Sequence, residues 1–237
     1  MRTSTIRRET AETSICLSLN LDGEGKVAAQ TGIGFFDHML THIGKHSLSD
    51  LKIQVKGDLD VDSHHTVEDT GIVLGQAIKE AVGNKEGINR YGHAVIPMDE
   101  ALILCAIDLS GRPYIDIDTP FTVEKVGTFD TEMVGEFFRA VAVNAGMNLH
   151  IEVRRGKNNH HIIEGMCKAF AKALLMAVSF NPRIKAYLLP RVCWRCKSEY
   201  CYYRLWNGEF KKCKKSLYCL RFQSRNNSRT GSNLKGR

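Results

Sequence analysis

The chain has no apolar run long enough to span a bilayer, which excludes an integral membrane helix. Its first residues, MRTSTIRRETAETS, lack the hydrophobic stretch of a secretory signal. Histidine is absent after His161, and tryptophan is absent before Trp194. Only Cys16, Cys105 and Cys167 precede residue 186, too few for a disulfide framework, and they read as small core residues in a reduced, cytoplasmic protein.

These gaps divide the 237 residues in two. Residues 1–185 hold 20 Lys+Arg against 24 Asp+Glu, whereas residues 186–237 hold 13 against 2. The overall charge of +7 therefore belongs to the tail, which also holds five of the eight cysteines. An apolar fraction of 43% is enough for a packed core in the body.

The body is internally duplicated. HHTVED at His64–Asp69 recurs as HHIIEG at His160–Gly165, 96 residues on. Each opens a stretch with helical apolar spacing, Val73, Ala77 and Ala81 in one and Met166, Phe170 and Leu174 in the other. ETSICLSLNLDG (Glu12–Gly23) matches EALILCAIDLSG (Glu100–Gly111) at an offset of 88, and its alternating Ile15, Leu17, Leu19 and Leu21 predict a strand. DLKIQV matches NLHIEV at an offset of 98, as does the helical GFFDHMLTHIGKH with DTEMVGEFFRAVAVNAG, which pairs His38 with Glu136. Each half reads strand–helix–strand–helix with a further strand in its sheet. The expected class is α+β, with two similar halves related by a pseudo-twofold axis. Each is a mostly antiparallel sheet with helices on one face, the first spanning 1–89 and the second 90–188.

In HHxxE the first His and the Glu share a helix face and can grip one ion, while the second His points about 100° away. In a duplicated chain it can serve the other half's ion. Two sets follow, His160 and Glu164 with His65 and His38, and His64 and Glu68 with His161 and Glu136. Imidazole nitrogen and carboxylate oxygen without sulfur suit Mn²⁺, Fe²⁺ or Zn²⁺. His42 and His46 continue the His38 face, where ordinary surface histidines would also be at home.

The segments FDHMLTHIGKH, DSHHTVEDTGIVLGQA, INRYG, DLSGRPY, LHIEVRRGKNNHHIIEGMCKAFAKAL and NPRIK together resemble the imidazoleglycerol-phosphate dehydratase family over about residues 2–188. The resemblance implies a hydro-lyase of histidine biosynthesis that turns imidazole glycerol phosphate into imidazole acetol phosphate. It implies two Mn²⁺ per active site and a 24-subunit shell whose sites take ligands from neighbouring subunits. The family's ligands fall on His38, His64, His65, Glu68, His160, His161 and Glu164; many members carry His where this chain has Glu136. The same resemblance places Glu12, Arg90, Arg112, His42, His46 and Lys168 around the substrate, with Glu12 or a metal-site His as acid/base. Arg90 and Arg112 suit a phosphate through their planar forks of donors. The proton to be removed has no adjacent carbonyl. An imidazolate held by metal through both nitrogens could instead expel the neighbouring hydroxyl, giving a diazafulvene-like intermediate. Two other classes compete: a different di-metal enzyme such as a hydrolase, and a nucleic-acid-binding protein acting through its basic tail.

The tail, 189–237, has one CxxC (Cys193, Cys196) and irregular later cysteines, so it lacks the spacing of a zinc module. Its charge supports only non-specific nucleic-acid binding, and its composition predicts disorder. Family members end shortly after PRIK with a Ser/Thr-Lys-Gly segment that helps bind phosphate, and that segment is missing here. Leu189 to Lys197 can be written in codons that, shifted by two bases, read T-K-G-V-L-E-M and stop. Tyr203 to Cys213, shifted by one, can read I-D-Y-G-M-G-N-L-K-S, similar to the start of the glutamine amidotransferase subunit of imidazole glycerol phosphate synthase. The tail therefore reads as out-of-frame translation after loss of one base following the codon for Leu188.

Overall fold

The structure, a computed structural model, describes residues 1–184, 200–204 and 210–214. The chain divides into two compact units, Met1–Tyr187 and Leu188–Arg237.

In the first unit, β1 (Thr3–Glu9), β2 (Thr13–Asn20), β3 (Val27–Gln30) and β4 (Asp50–Gly57) form a sheet ordered β1-β2-β4-β3. Helices α1 (Gly34–Ser47) and α2 (His64–Val82) flank β4 in sequence. The second half repeats this with β5 (Tyr91–Met98), β6 (Ala101–Asp108), β7 (Tyr114–Ile117) and β10 (Asn148–Arg155), ordered β5-β6-β10-β7, and helices α3 (Met133–Ala145) and α4 (Asn159–Val178). Each sheet is antiparallel except for its last pair, β3 with β4 and β7 with β10. Each half thus holds four strands, one more than the sequence pattern showed. The extra strand precedes the alternating one: TSTIRRE and YGHAVIPM have only weak apolar alternation, because they lie at sheet edges.

A short hairpin, β8 (Lys125–Val126) with β9 (Phe129–Asp130), has no counterpart in the first half. It lies between β7 and α3, where the repeat offset grows from 88 to 98. Phe129 stacks on Phe36 of α1 with centroids 5.8 Å apart, and the Ser63 hydroxyl at the start of α2 donates to Asp130 at 2.9 Å. The inserted hairpin therefore braces the start of both helices of the other half.

Period-two alternation buries Ile15, Leu17, Leu19 and Leu21 on one face of the first sheet. Cys16 falls on the opposite face and is half-buried, unlike the buried Cys105 and Cys167, so it is not the core residue the sequence suggested. The apolar faces of α2 and α4 close over the sheets, with Val73, Ala77, Met166, Phe170 and Leu174 all buried. Each half's first helix packs against the other half's second, α1 on α4 and α3 on α2. The α2–α3 crossing is close because Gly71 and Gly75 face α3: a Cβ built on Gly75 would lie 2.6 Å from the Val141 carbonyl oxygen. No described helix is long and apolar enough to cross a membrane.

In the second unit, β11 (Tyr200–Arg204) pairs antiparallel with β12 (Phe210–Lys214). The sequence reading expected no order here, and these two strands differ from it. The CxxC at Cys193 and Cys196 and the T-K-G-V-L-E-M reading of Leu189–Lys197 lie outside the described residues.

Candidate active site

The duplicated HHxxE motifs open α2 and α4. Helix α4 is capped by Asn158, whose side-chain oxygen accepts the His160 backbone N–H at 2.9 Å. At α2 the Asp62 side chain accepts the His64 backbone N–H at 2.8 Å. These caps satisfy amide groups that helix geometry leaves open and fix where the first turn begins. The paired histidines of each motif sit in that turn.

Because α1 packs on α4, His38 meets the second motif. Ligand atoms of His38, His160 and Glu164 lie within 4.8 Å of one another. Oε2 of Glu164 stands 3.2 Å from His160 Nε2 and 3.6 Å from His38 Nε2. Its other oxygen is 3.3 Å from His42 Nε2 and 2.5 Å from Lys168 Nζ. Glu164 is buried, which raises its pKa, but Lys168, His42 and His160 outweigh that and hold the carboxyl below its usual range. Burial pushes His42 down to about 4 against the pull of Glu164. His46 stacks on His42 with centroids 5.5 Å apart and is lowered by burial, then by Lys168 and Lys172.

Of the first set read from the sequence, His38, His160 and Glu164 converge. His65 instead holds its Nδ1 2.9 Å from Asp58 Oδ2. Of the second set, His64 and Glu68 pair at 3.3 Å. His161 turns its Nδ1 to Glu100 Oε2 at 2.7 Å, and Glu136 sits 3.6 Å from Arg139 on its own helix. Among the described residues, His38, His160 and Glu164 are the one group of three or more that could hold an ion.

The remaining site residues are spread over the body. Glu12, between β1 and β2, is exposed, and its carboxylate makes no hydrogen bond or ion pair among the described residues. It lies near enough to His65 to raise that imidazole's pKa, though Asp58 does so more strongly. Arg90 takes a left-handed φ of 69°, donates to both Asp108 oxygens at 2.7 and 3.1 Å, and lies over the Tyr91 ring. Arg112 is exposed, on a turn held by the Ser110 hydroxyl, which accepts its backbone N–H at 3.1 Å.

Sequence reasoning missed Asp58 and Glu100. Glu100 had a signal, since the offset of 88 makes it the repeat partner of Glu12. Asp58 had none: the position 98 residues on is Gly156.

A duplicated α+β body with two histidines and a buried glutamate gathered between its halves is the architecture of an enzyme with a candidate metal site. The pattern of the imidazoleglycerol-phosphate dehydratase family matches residues 31–174. Imidazoleglycerol-phosphate dehydratases of Clostridium acetobutylicum and Lachnoclostridium phytofermentans are 60% and 61% identical over 187 residues, which is 79% of this chain and 95% of each relative. The crystal structure of the Staphylococcus aureus dehydratase is similar with a TM-score of 0.69 and 42% identity, covering 76% of this chain and 99% of that one. The Pyrococcus furiosus structure, in complex with (S)-C348, gives 0.67 and 33%, covering 77% and 98%. The chain belongs to the imidazoleglycerol-phosphate dehydratase family.

Proposed function

We propose that this chain removes water from imidazole glycerol phosphate to give imidazole acetol phosphate in histidine biosynthesis, as a cytoplasmic carbon–oxygen lyase. The observation that carries this reading is the convergence of His38, His160 and Glu164 in a chain of this family. Two imidazoles and a carboxylate without sulfur are a donor set that fits Mn²⁺. These three residues would hold one ion, and His64, Glu68, His65 and His161 would supply the rest, with Glu136 as a further carboxylate donor. Bound metal would supply Lewis acidity and a template for the substrate's imidazole ring. The partial sets around His64 and His161 support completion by neighbouring subunits, in the 24-subunit shell the family resemblance implies.

Glu12 is available to move the carbon-bound proton, because no described side chain engages its carboxylate. Arg112 presents an exposed guanidinium to the substrate phosphate; Arg90, which the family resemblance also assigns to the substrate, has its Nε and Nη2 donors on Asp108. Lys168 keeps Glu164 ionised, and His42 and His46 extend the imidazole-lined face of α1 beside it. The out-of-frame tail removes the family's Thr-Lys phosphate contact, so substrate binding is weakened. Its positive charge leaves only non-specific attraction to nucleic acid.

The test is product analysis with the metal-stripped chain, Mn²⁺ and imidazole glycerol phosphate. Imidazole acetol phosphate formed without inorganic phosphate is the expected result. Release of inorganic phosphate would replace this reading with a hydrolase.

A further inference from the structure

Each HHxxE motif has a second histidine, His65 in α2 and His161 in α4, at equivalent places in the duplication. Both present Nδ1 to a carboxylate from outside their own helix. His65 meets Asp58 Oδ2 at 2.9 Å, and His161 meets Glu100 Oε2 at 2.7 Å. A carboxylate accepts at Nδ1, so in the neutral ring, the form that binds metal, the proton resides there and Nε2 keeps its lone pair. Among the described residues Nε2 of either ring makes no hydrogen bond; that of His161 faces the exposed Asp99 at 3.6 Å.

The two carboxylates are not repeat partners. Glu100 matches Glu12, and the position matching Asp58 is Gly156. The halves thus reach the same imidazole arrangement with different residues, which marks the arrangement, rather than inherited position, as what is retained. Both carboxylates are placed for the task. Glu100 Oε1 accepts the backbone N–H groups of Lys157 and Asn158 at 3.2 and 2.8 Å, leaving Oε2 aimed at His161. Among the described residues, Asp58 Oδ1 is buried without a partner, and His65 is the one side chain that hydrogen-bonds this carboxylate and offsets its desolvation.

We infer that Asp58 and Glu100 are positioning residues that lock His65 and His161 as Nδ1–H tautomers with Nε2 turned outward for metal. The inference rests on the metal-binding reading above. The divergence also separates the two glutamates: Glu100 is committed to His161, whereas Asp58 occupies the matching role in the first half and leaves Glu12 for the substrate.

Glu100→Gln is the decisive variant. Its oxygen would stay on the two backbone amides, and its NH₂ would donate to Nδ1 and force the proton onto Nε2. Asp58→Ala removes the other carboxylate without touching a helix cap. Metal-free parent and variant chains are titrated with Mn²⁺, the free ion being read by electron paramagnetic resonance. Each variant is expected to bind about 10–100-fold more weakly, as loss of such a partner does. In solid-state ¹⁵N spectra of the metal-free Glu100→Gln chain, one imidazole is expected to change from the Nδ1–H to the Nε2–H form, a change that loss of structural support alone would not give. Mn²⁺ affinities within twofold of the parent for both variants, or an unmoved ¹⁵N spectrum, would overturn the inference. A parent that binds no Mn²⁺ would instead remove the metal reading beneath it. If Glu100→Gln melts early because the turn before α4 loosens, Asp58→Ala decides.

Discussion

Placing a methyl group at Gly75 should separate α2 from α3. A Cβ there would sit 2.6 Å from the Val141 carbonyl oxygen, 2.8 Å from Asn144 Cβ and 3.0 Å from the Ala145 nitrogen. Two of these are backbone atoms, which cannot rotate aside. Ordinary van der Waals separation requires the helices to move apart by roughly 1 Å. Overpacking of this kind costs about 1–3 kcal/mol. Helix propensity returns up to about 1 kcal/mol for Gly→Ala. With two rigid backbone atoms placing the cost in the upper part of that range, about 2–3 kcal/mol, the expected net loss is about 1–2 kcal/mol, or a melting temperature lower by about 2–8 °C for a body of this size. Gly34, with nothing within 4 Å of its added Cβ, is the internal control, and Gly34→Ala should be neutral or slightly stabilising. Thermal and denaturant unfolding of both variants would be measured at one protein concentration, because assembly makes stability concentration-dependent. A Gly75→Ala chain as stable as the parent would refute the close crossing as the reason for glycine there.

Lys168→Met should leave the buried Glu164 without its nearest counter-charge and destabilise the metal-free chain by about 1–3 kcal/mol; unchanged denaturant midpoints would contradict this. Asp50 is held below the usual carboxyl range by the backbone N–H groups of Lys26 and Glu24. A depressed folded pKa stabilises above the unfolded value of about 4 and loses that contribution as pH falls through the folded one. Asp50→Asn should thus be less stable than the parent at pH 7, with the gap closing in acid; a gap independent of pH would contradict it. Replacing residues 189–237 by P-T-K-G-V-L-E-M should lower KM for imidazole glycerol phosphate, and equal KM values would refute the loss of a phosphate contact.

The motifs that open α2 and α4 were legible because short-range rules act on them: apolar residues at helical spacing, and a repeat that doubles the signal. Burial of Val73, Ala77, Met166 and Phe170 follows from that spacing. Exchange of ligands between the halves was suggested by the duplication, but the set read with it also held His65, which turns to Asp58. The hairpin Lys125–Asp130 was not legible, because strands of two residues carry no period. Edge strands β1 and β5 escaped for a related reason, as a half-exposed edge needs little alternation. The His65–Asp58 pair joins a helix start to the residue that follows a strand, through a carboxylate that has no repeat partner in the sequence.

By itself the sequence determined the duplication, the helix faces that are buried and the ligand types available for metal, because each depends on residues a few positions apart or on self-similarity. The tertiary structure decided which of those ligands meet. Packing α1 on α4 brings His38 to Glu164, while local carboxylates turn His65 and His161 elsewhere. That choice depends on distances between side chains far apart in sequence, set by how two sheets and four helices fill one core, and no local pattern encodes it.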